Sequence, residues 1–474
     1  MSHRDHPAER PAERGFTILE LVIAITIAVE ILIGAGIAFD VHNRMARIQT
    51  QVTDMQQSLR IAQYDMARLV RMAGRGGLPA DILPNAAFDP DDTPPILGGL
   101  AIEVRNNVGG DVNADPDRHI ARGNEDSPQA VTGTDILIVR GCFANPLYQI
   151  NSPTFDWDPD GNGVGDATTL TIPNPSLHSI SQSLKPLLEE ARSTEGDLTG
   201  LIAMQSPESR QTYGLGQVTG ATFSGSDAND PSSVAIDLDL AAISPLNPVN
   251  NTAVPPTRMF PPRMTVALAC LLEEYRYYVR EEFEIPGDDT SEMRPRLARA
   301  RFEPGTERPY HGDAENFRLD LADGIFDLQV ALALDSDYPS PNPTGTPGSF
   351  DDDLDNVGVD DTIFEGPRGD ARRAADDWLF NDPDDDPANL AWIQHRFPGN
   401  TSNPVDLLAL RITTIARTAR PDPSYESPDL DGDPAREIIE DNDYTEAPAD
   451  YFRSALNRKY RHRALTTVVE LRNI

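Results

Sequence analysis

The run Leu21–Phe39 (LVIAITIAVEILIGAGIAF) is apolar along its whole length apart from one charge, Glu30. As a helix at about 1.5 Å per residue it reaches across the hydrocarbon of a bilayer. A cleaved secretory signal would be followed by small residues of the A-x-A type. Here Asp40-Val41-His42-Asn43-Arg44 follow, and the helical pattern carries on. The segment is therefore expected to stay in the mature chain and to cross a bilayer once. Two acids, Glu20 and Glu30, sit beside and within it. An ionised carboxylate in hydrocarbon costs several kcal/mol unless it has a partner or lies among headgroups.

Beyond Phe39 the apolar positions are Met45, Ile48, Val52, Met55, Leu59, Ala62, Met66 and Leu69, stepping by three and four. That spacing lays one stripe along a helix, with Arg, Gln, Asp and Ser between. The first break is Gly74-Arg75-Gly76-Gly77, where the helix is expected to stop. Counted from Phe16, the helix is roughly 58 residues, or about 87 Å. The stripe is expected to pack on the protein's own sheet; a coiled coil is the alternative.

The remainder reads as β structure with interruptions. Expected strands are 135–140, 233–240, 264–272, 275–283, 325–334, 408–416 and 466–471, all rich in Val, Ile, Tyr and Thr. A second helix is expected at 179–192, weakened by Pro186. Polar stretches near 80–130, 145–175, 285–315, 338–404 and 420–452 are poor in apolar residues and read as loops. The 76 acids outnumber the 40 Lys and Arg, giving a net charge of -36, and Lys185 and Lys459 are the two lysines. A phosphate backbone would be repelled, so nucleic acid is excluded as a partner.

Gly15-Phe16-Thr17-Ile18-Leu19-Glu20-Leu21, placed directly before the apolar run, resembles the type IV prepilin motif. The resemblance implies a leader of residues 1–15, cut after Gly15 by a prepilin peptidase, and N-methylation of the new terminus, Phe16. It also implies that Glu20 pairs with a terminal amine during filament assembly. Each charge would need the other in an apolar filament core. Further pieces are Gly133–Arg140, Tyr277–Arg280 followed by Pro295–Arg299, Ala322–Val330, Leu408–Ile412 and Thr466–Asn473. Their order is similar to the PilW-like minor pilins and, more distantly, to the J-type pseudopilins of type II secretion. The implied fold is α+β and pilin-like. A transmembrane segment (16–39) and an amphipathic segment (40–74) form one helix, packed on an antiparallel β domain (75–474). Long acidic inserts lie near 145–175, 338–404 and 420–452. The implied partners are other minor pilins and the major pilin, met through the N-terminal helix. The exported domain would end on a pilus or the cell surface.

Within the inserts, Asp156, Asp158, Asp160, Asn162, the carbonyl of Val164 and Asp166 alternate around tight glycine turns. A hard cation such as calcium takes six to eight oxygens at about 2.3–2.6 Å, so calcium is the expected ligand. Weaker sets are Asp351, Asp353, Asp355 and Asp361, and Asp429, Asp431, Asp433, Glu437 and Glu440. In the latter, Pro434 replaces the turn glycine of an EF-hand. A saline habitat is the alternative source of so acidic a surface. Cys142 and Cys270 lie at the ends of two expected strands; in an oxidising compartment they are expected to bridge rather than remain buried thiols.

No P-loop, dinucleotide turn, H-E-x-x-H, C-x-x-C or G-x-S-x-G occurs. His395 and His462 read as surface residues. The expected function is that of a non-enzymatic minor pilin in a priming or tip complex of a type IV pilus. Alternatives are a secretion pseudopilin and a membrane-anchored calcium-dependent binding protein.

Overall fold

The computed structural model describes residues 17–78, 96–98, 101–108, 119–121, 128–143, 148–150, 155–156, 167–173, 200–205, 213–224, 233–239, 263–264, 268–285, 292–310, 318–335, 378–379, 406–426, 438–439, 442–443 and 457–471. The class is α+β: one long apolar N-terminal helix and antiparallel sheets. The chain divides into two units, Met1–Asp54 and Met55–Ile474.

The helix Ile18–Val70 has 53 residues. It ends a few residues before the glycines expected to stop it. Met72 N donates to Leu69 O at 3.0 Å and Ala73 N to Val70 O at 3.1 Å, so the last turn tightens to i→i−3 bonding. Gly74, Gly76 and Gly77 then take φ of 72°, 113° and 95°, which side chains avoid, and the chain turns away. In the first unit the apolar side chains from Ile18 to Met45 are exposed, Ile18 at 83% and Phe39 at 69%, and Ile48 and Val52 are half-buried. In the second, the expected stripe is buried at Met55, Leu59, Ala62, Met66 and Leu69. That part of the helix packs on the protein's own sheets.

Among the described residues the second unit has three larger sheets. A six-stranded sheet runs in the order Ile96–Gly98, Ile102–Val108, Thr134–Gly141, Glu273–Phe283, Met293–Phe302 and Arg318–Asp323. A second has the order Tyr148–Gln149, Leu268–Leu271, Leu201–Gln205, Tyr213–Ser224, Ser233–Asp239 and Ala167–Pro173. A four-stranded sheet has the order Trp378–Leu379, Ile325–Asp335, Asp406–Arg417 and His462–Glu470.

The buried helix segment joins two of these sheets. Gln63 Nε2 donates to Ile412 O at 3.1 Å, Thr414 Oγ1 at 2.9 Å and Leu465 O at 2.9 Å on the four-stranded sheet. Two residues on, the Asp65 carboxylate accepts from Tyr277 Oη at 2.8 Å and from Arg299 Nη1 at 2.7 Å on the first six-stranded sheet. Tyr277 and Arg299 are register partners on neighbouring strands, so both point at one carboxylate. Burial and the Asp65 charge hold the Tyr277 phenol well above its usual range, leaving it a donor. The two sheets also meet directly. The fully buried Asp135 accepts from Asn107 N at 2.8 Å and Val330 N at 2.6 Å, and Gln329 Nε2 donates to Gly133 O at 2.9 Å.

Several expectations need correcting. The stretches 80–130, 145–175 and 285–315, expected as loops, contain the strands Ile102–Val108, Ala167–Pro173 and Met293–Phe302. Leu201–Gln205 and Tyr213–Ser224 are additional strands, and 264–272 divides into Arg263–Met264 and Leu268–Leu271. The clearest case is Met293–Phe302 (MRPRLARARF), where arginines make the stretch read as a loop. On the sheet those arginines meet acids: Arg296 reaches Glu282 at 3.1 Å and Asp323 at 3.0 Å, and Arg299 reaches Asp65 at 2.7 Å. Between them Leu297, Ala298, Ala300 and Phe302 are buried. Alternation needs only small or apolar residues on one face when the charges of the other are paired. The expected helix at 179–192 lies outside the described residues.

Candidate functional site

Gly15 and Phe16, the expected processing residues, lie outside the described residues. Glu20 stands in the first turn of the helix, exposed. Its Oε2 accepts from the Thr17 amide and from the Thr17 hydroxyl, both at 2.9 Å. The Glu20 amide donates back to Thr17 Oγ1 at 3.2 Å. This is a capping box, which satisfies two of the amides that a helix start leaves without intrahelical partners. Its signal, Thr-x-x-Glu ahead of an apolar run, is present in the sequence, although the motif resemblance points only to an assembly role. Glu20 thus supports the helix start as well as carrying the charge expected to act in assembly. The helix is long and apolar enough to cross a membrane, with mean hydropathy 2.5 in its most apolar window. Glu30 is exposed on it, and further along Asp40 and Arg44 pair one turn apart at 3.0 Å.

At the other end of the helix sits the cysteine pair. The structure joins Cys142 and Cys270, with Cα atoms 6.1 Å apart, a separation ordinary for a bridge. Cys142 follows the strand Thr134–Gly141 of the first sheet, and Cys270 belongs to Leu268–Leu271 of the second, so the bond ties the two together. The helix exit lies against it: Gly74 N donates to Arg140 O and Cys142 N to Arg75 O, both at 3.0 Å. A Cβ on Gly76 would stand 2.9 Å from each sulfur. Glycine is required there for space as much as for its φ of 113°.

The first sheet and the turn that follows Met293–Phe302 also carry a set of charges, buried apart from the partly exposed Glu307, that no sequence motif marks. Arg140 bridges Glu103 and Glu274, each at 2.6 Å. Arg276 pairs with Glu274 at 2.7 Å and Glu307 at 2.5 Å, and donates to Ile120 O at 2.5 Å and Thr306 O at 2.6 Å. Arg105 reaches Glu307 at 2.6 Å and Glu103 at 3.4 Å. Among the described residues, three arginines therefore face three glutamates. The Arg276 guanidinium lies 3.9 Å from the Phe302 ring centroid. Burial by itself would raise the Glu103 carboxyl; Arg140 and then Arg105 outweigh it and bring it down to about 2. Arg140 and Arg276 are correspondingly raised above the usual guanidinium range despite burial. Paired charges of this kind hold strands and the 303–310 turn in one arrangement. The nearby cavity lined by Leu272, Arg301, Phe302 and Tyr310 is about 10 Å³, room for one water.

His462, expected at the surface, is instead half-buried against Phe326, with ring centroids 5.4 Å apart. Burial and Arg417 push its imidazole down to about 3, so it is neutral near pH 7. His395 lies outside the described residues.

Of the expected calcium ligands, Asp156 lies in a short ribbon, its backbone paired with Arg263. Asp158, Asp160, Asn162, Val164 and Asp166 lie outside the described residues. So do Asp351, Asp353, Asp355, Asp361, Asp429, Asp431, Asp433, Glu437 and Glu440. Among the described residues no cluster of His, Cys, Asp and Glu is arranged to hold a metal. Comparison with protein-family models, with curated proteins and with solved structures finds no match.

Proposed function

We propose that this protein is a minor pilin, a non-enzymatic component of a type IV pilus priming or tip complex, matured by prepilin peptidase. The observation that carries this reading is the position of Glu20. It stands in the first turn of a single apolar helix, five residues after Gly15, and that helix continues into a β-rich unit whose sheets bury its last four turns. In this reading the leader is removed after Gly15, Phe16 becomes the terminus, and the helix holds the protein in the cytoplasmic membrane until it enters the filament. There it meets other minor pilins and the major pilin. Glu20 exchanges its contact with Thr17 for a terminal amine, since a carboxylate buried among apolar helices requires a cation. The aspartates from Asp156 to Asp166 serve in the same reading as a calcium loop.

The test is the mature amino terminus, read by mass spectrometry from cells with and without prepilin peptidase. The expected result is a chain starting at methylated Phe16 only when the peptidase is present. A chain starting at Met1 in both removes the proposal. Glu20→Ala is expected to be cleaved normally yet to be depleted from sheared pili; normal incorporation removes the pairing role.

A further inference from the structure

The Cys142–Cys270 bond lies where three parts of the second unit meet. Cys142 continues the strand Thr134–Gly141 of the first sheet, and Cys270 stands within Leu268–Leu271 of the second. The helix exit, residues 73–78, lies against both. Its Gly74 amide donates to Arg140 O, and its Arg75 carbonyl accepts from the Cys142 amide, which fixes it to the first sheet. Toward the second sheet it meets Leu201–Gln205, where Ala203 Cβ is 3.2 Å from the position of a Cβ on Gly76. The exit thus rests on both sides of the bond.

The contact is main chain against main chain and sulfur. A Cβ on Gly76 would stand 2.9 Å from each sulfur, and one on Gly141 would stand 2.8 Å from Met72 O. Both positions are glycine, and the exit closes on its seat to a distance that side chains forbid. Cys142 is 0% exposed and Cys270 1%. A thiolate exchanges with a disulfide by touching one of its sulfurs, so the bond is closed to attack in this arrangement. Of residues 73–78 only Arg75 is partly exposed. An exit so enclosed does not lift alone; it moves with the helix turns before it. Those turns are held by Gln63 on the four-stranded sheet and by Asp65 on the first sheet.

We infer that the bridge is a thiol-responsive latch on the helix. A dithiol cuts it only when the last helix turns leave the sheets, and the cut in turn frees those turns. One thiolate of the dithiol attacks a bridge sulfur, forming a mixed disulfide and releasing the other cysteine, which takes up a proton. The second thiol closes on the first and releases the remaining cysteine. Two electrons and two protons pass to the chain, and the dithiol ends as a disulfide. Once cut, the two sides of the seat are no longer held together beneath the exit. The coupling is reciprocal: whatever the bond adds to the seating of the exit, seating adds to the bond. The latch acts on the helix whatever partner the helix joins.

The test uses the full oxidised chain in detergent micelles. Dithiothreitol is added without denaturant, samples are quenched with a maleimide, and labelled Cys142 and Cys270 peptides are followed over time by mass spectrometry. Gln63→Ala removes three bonds between helix and sheet and is expected to speed reduction about tenfold. Val108→Ala opens a void in a buried cluster that contains no helix residue. It is expected to lower the melting temperature while changing the reduction rate by less than about twofold. In the reverse direction, Cys142→Ala with Cys270→Ala is expected to speed hydrogen exchange of the amides at 74 and 142 about tenfold. A parent chain reduced as fast as the urea-unfolded chain would overturn the inference. So would a rate unchanged by Gln63→Ala, or one raised equally by Val108→Ala, since the bond would then open by global unfolding. Unaltered exchange at 74 and 142 in a folded cysteine-free chain would also overturn it. Should the cysteine-free chain not fold, the reduction rates, measured on oxidised chains, decide by themselves.

Discussion

Replacing Arg140 by Met tests whether the linked charges of Arg105, Arg140, Arg276, Glu103, Glu274 and Glu307, of which only Glu307 is substantially exposed at 36%, act as one set. Arg140 is 5% exposed and makes two bonds of 2.6 Å, to Glu274, which is fully buried, and to Glu103, which is 12% exposed. Met fills much of the same space but leaves three carboxylates against two guanidiniums. Removing one partner from a buried set of this kind costs about 3–5 kcal/mol, because a charge remains in low dielectric without compensation. Against a total stability of about 5–15 kcal/mol that is a large loss, measurable by urea unfolding followed by circular dichroism. The pH dependence separates this cause from a packing defect. In the parent, Glu103 is held near 2, below its ordinary 4.5. A depressed carboxyl contributes stability that is complete above its unfolded value and is lost as pH falls toward its folded one. The parent therefore weakens between those two values. In the variant, burial is outweighed less, Glu103 takes up a proton sooner, and protonation relieves the excess charge. The deficit is therefore expected to shrink as pH falls from about 7 to about 4. A deficit below about 1 kcal/mol at neutral pH, or one independent of pH, would refute the reasoning.

Gly76→Ala should destabilise by about 1–3 kcal/mol, since its Cβ would meet both bridge sulfurs and its φ is unsuited to a side chain; an unaltered melt would show that glycine is not required there. Asp65→Ala leaves Tyr277 and Arg299 facing an apolar methyl, and hydrogen exchange should then rise at residues 59–70 before the sheets open; protection matching the parent would show that the anchor is dispensable. Reducing the Cys142–Cys270 bond releases a loop of 128 residues, and the melt should fall by the equivalent of about 3–5 kcal/mol in the chain-entropy account; a melt indifferent to reductant would show that the bridge adds nothing. If the Asp156–Asp166 loop holds calcium, a chelator should lower the melting temperature and added calcium should restore it; an unchanged midpoint removes a structural site.

The long helix is legible in the sequence because its causes are local. Apolar residues from Leu21 to Phe39, a stripe stepping by three and four, and glycines after Ala73 each act through neighbours in sequence. The strands Thr134–Gly141, Ile325–Asp335 and Asp406–Arg417 are legible for the same reason, being runs of Val, Ile and Leu. Met293–Phe302 is not, because its arginines look solvated until Glu282, Asp320 and Asp65 are placed beside them. Asp65 lies 234 positions from Arg299. The capping role of Glu20 is within reach of sequence reading, since Thr17 stands three residues before it.

By itself, then, the sequence determined a helix suited to a membrane, its stopping region, the β character of the chain beyond it, and the placement of Glu20 at the helix start. Hydrophobic period and backbone preference are short-range properties, readable in a window of a few residues. Only the tertiary structure decided which charges are buried, that Glu103, Glu274 and Glu307 meet Arg105, Arg140 and Arg276, and that Gly76 seats the helix exit on the cysteine bridge. The state of a charge depends on what surrounds it in space, and here those surroundings come from strands far apart in the chain.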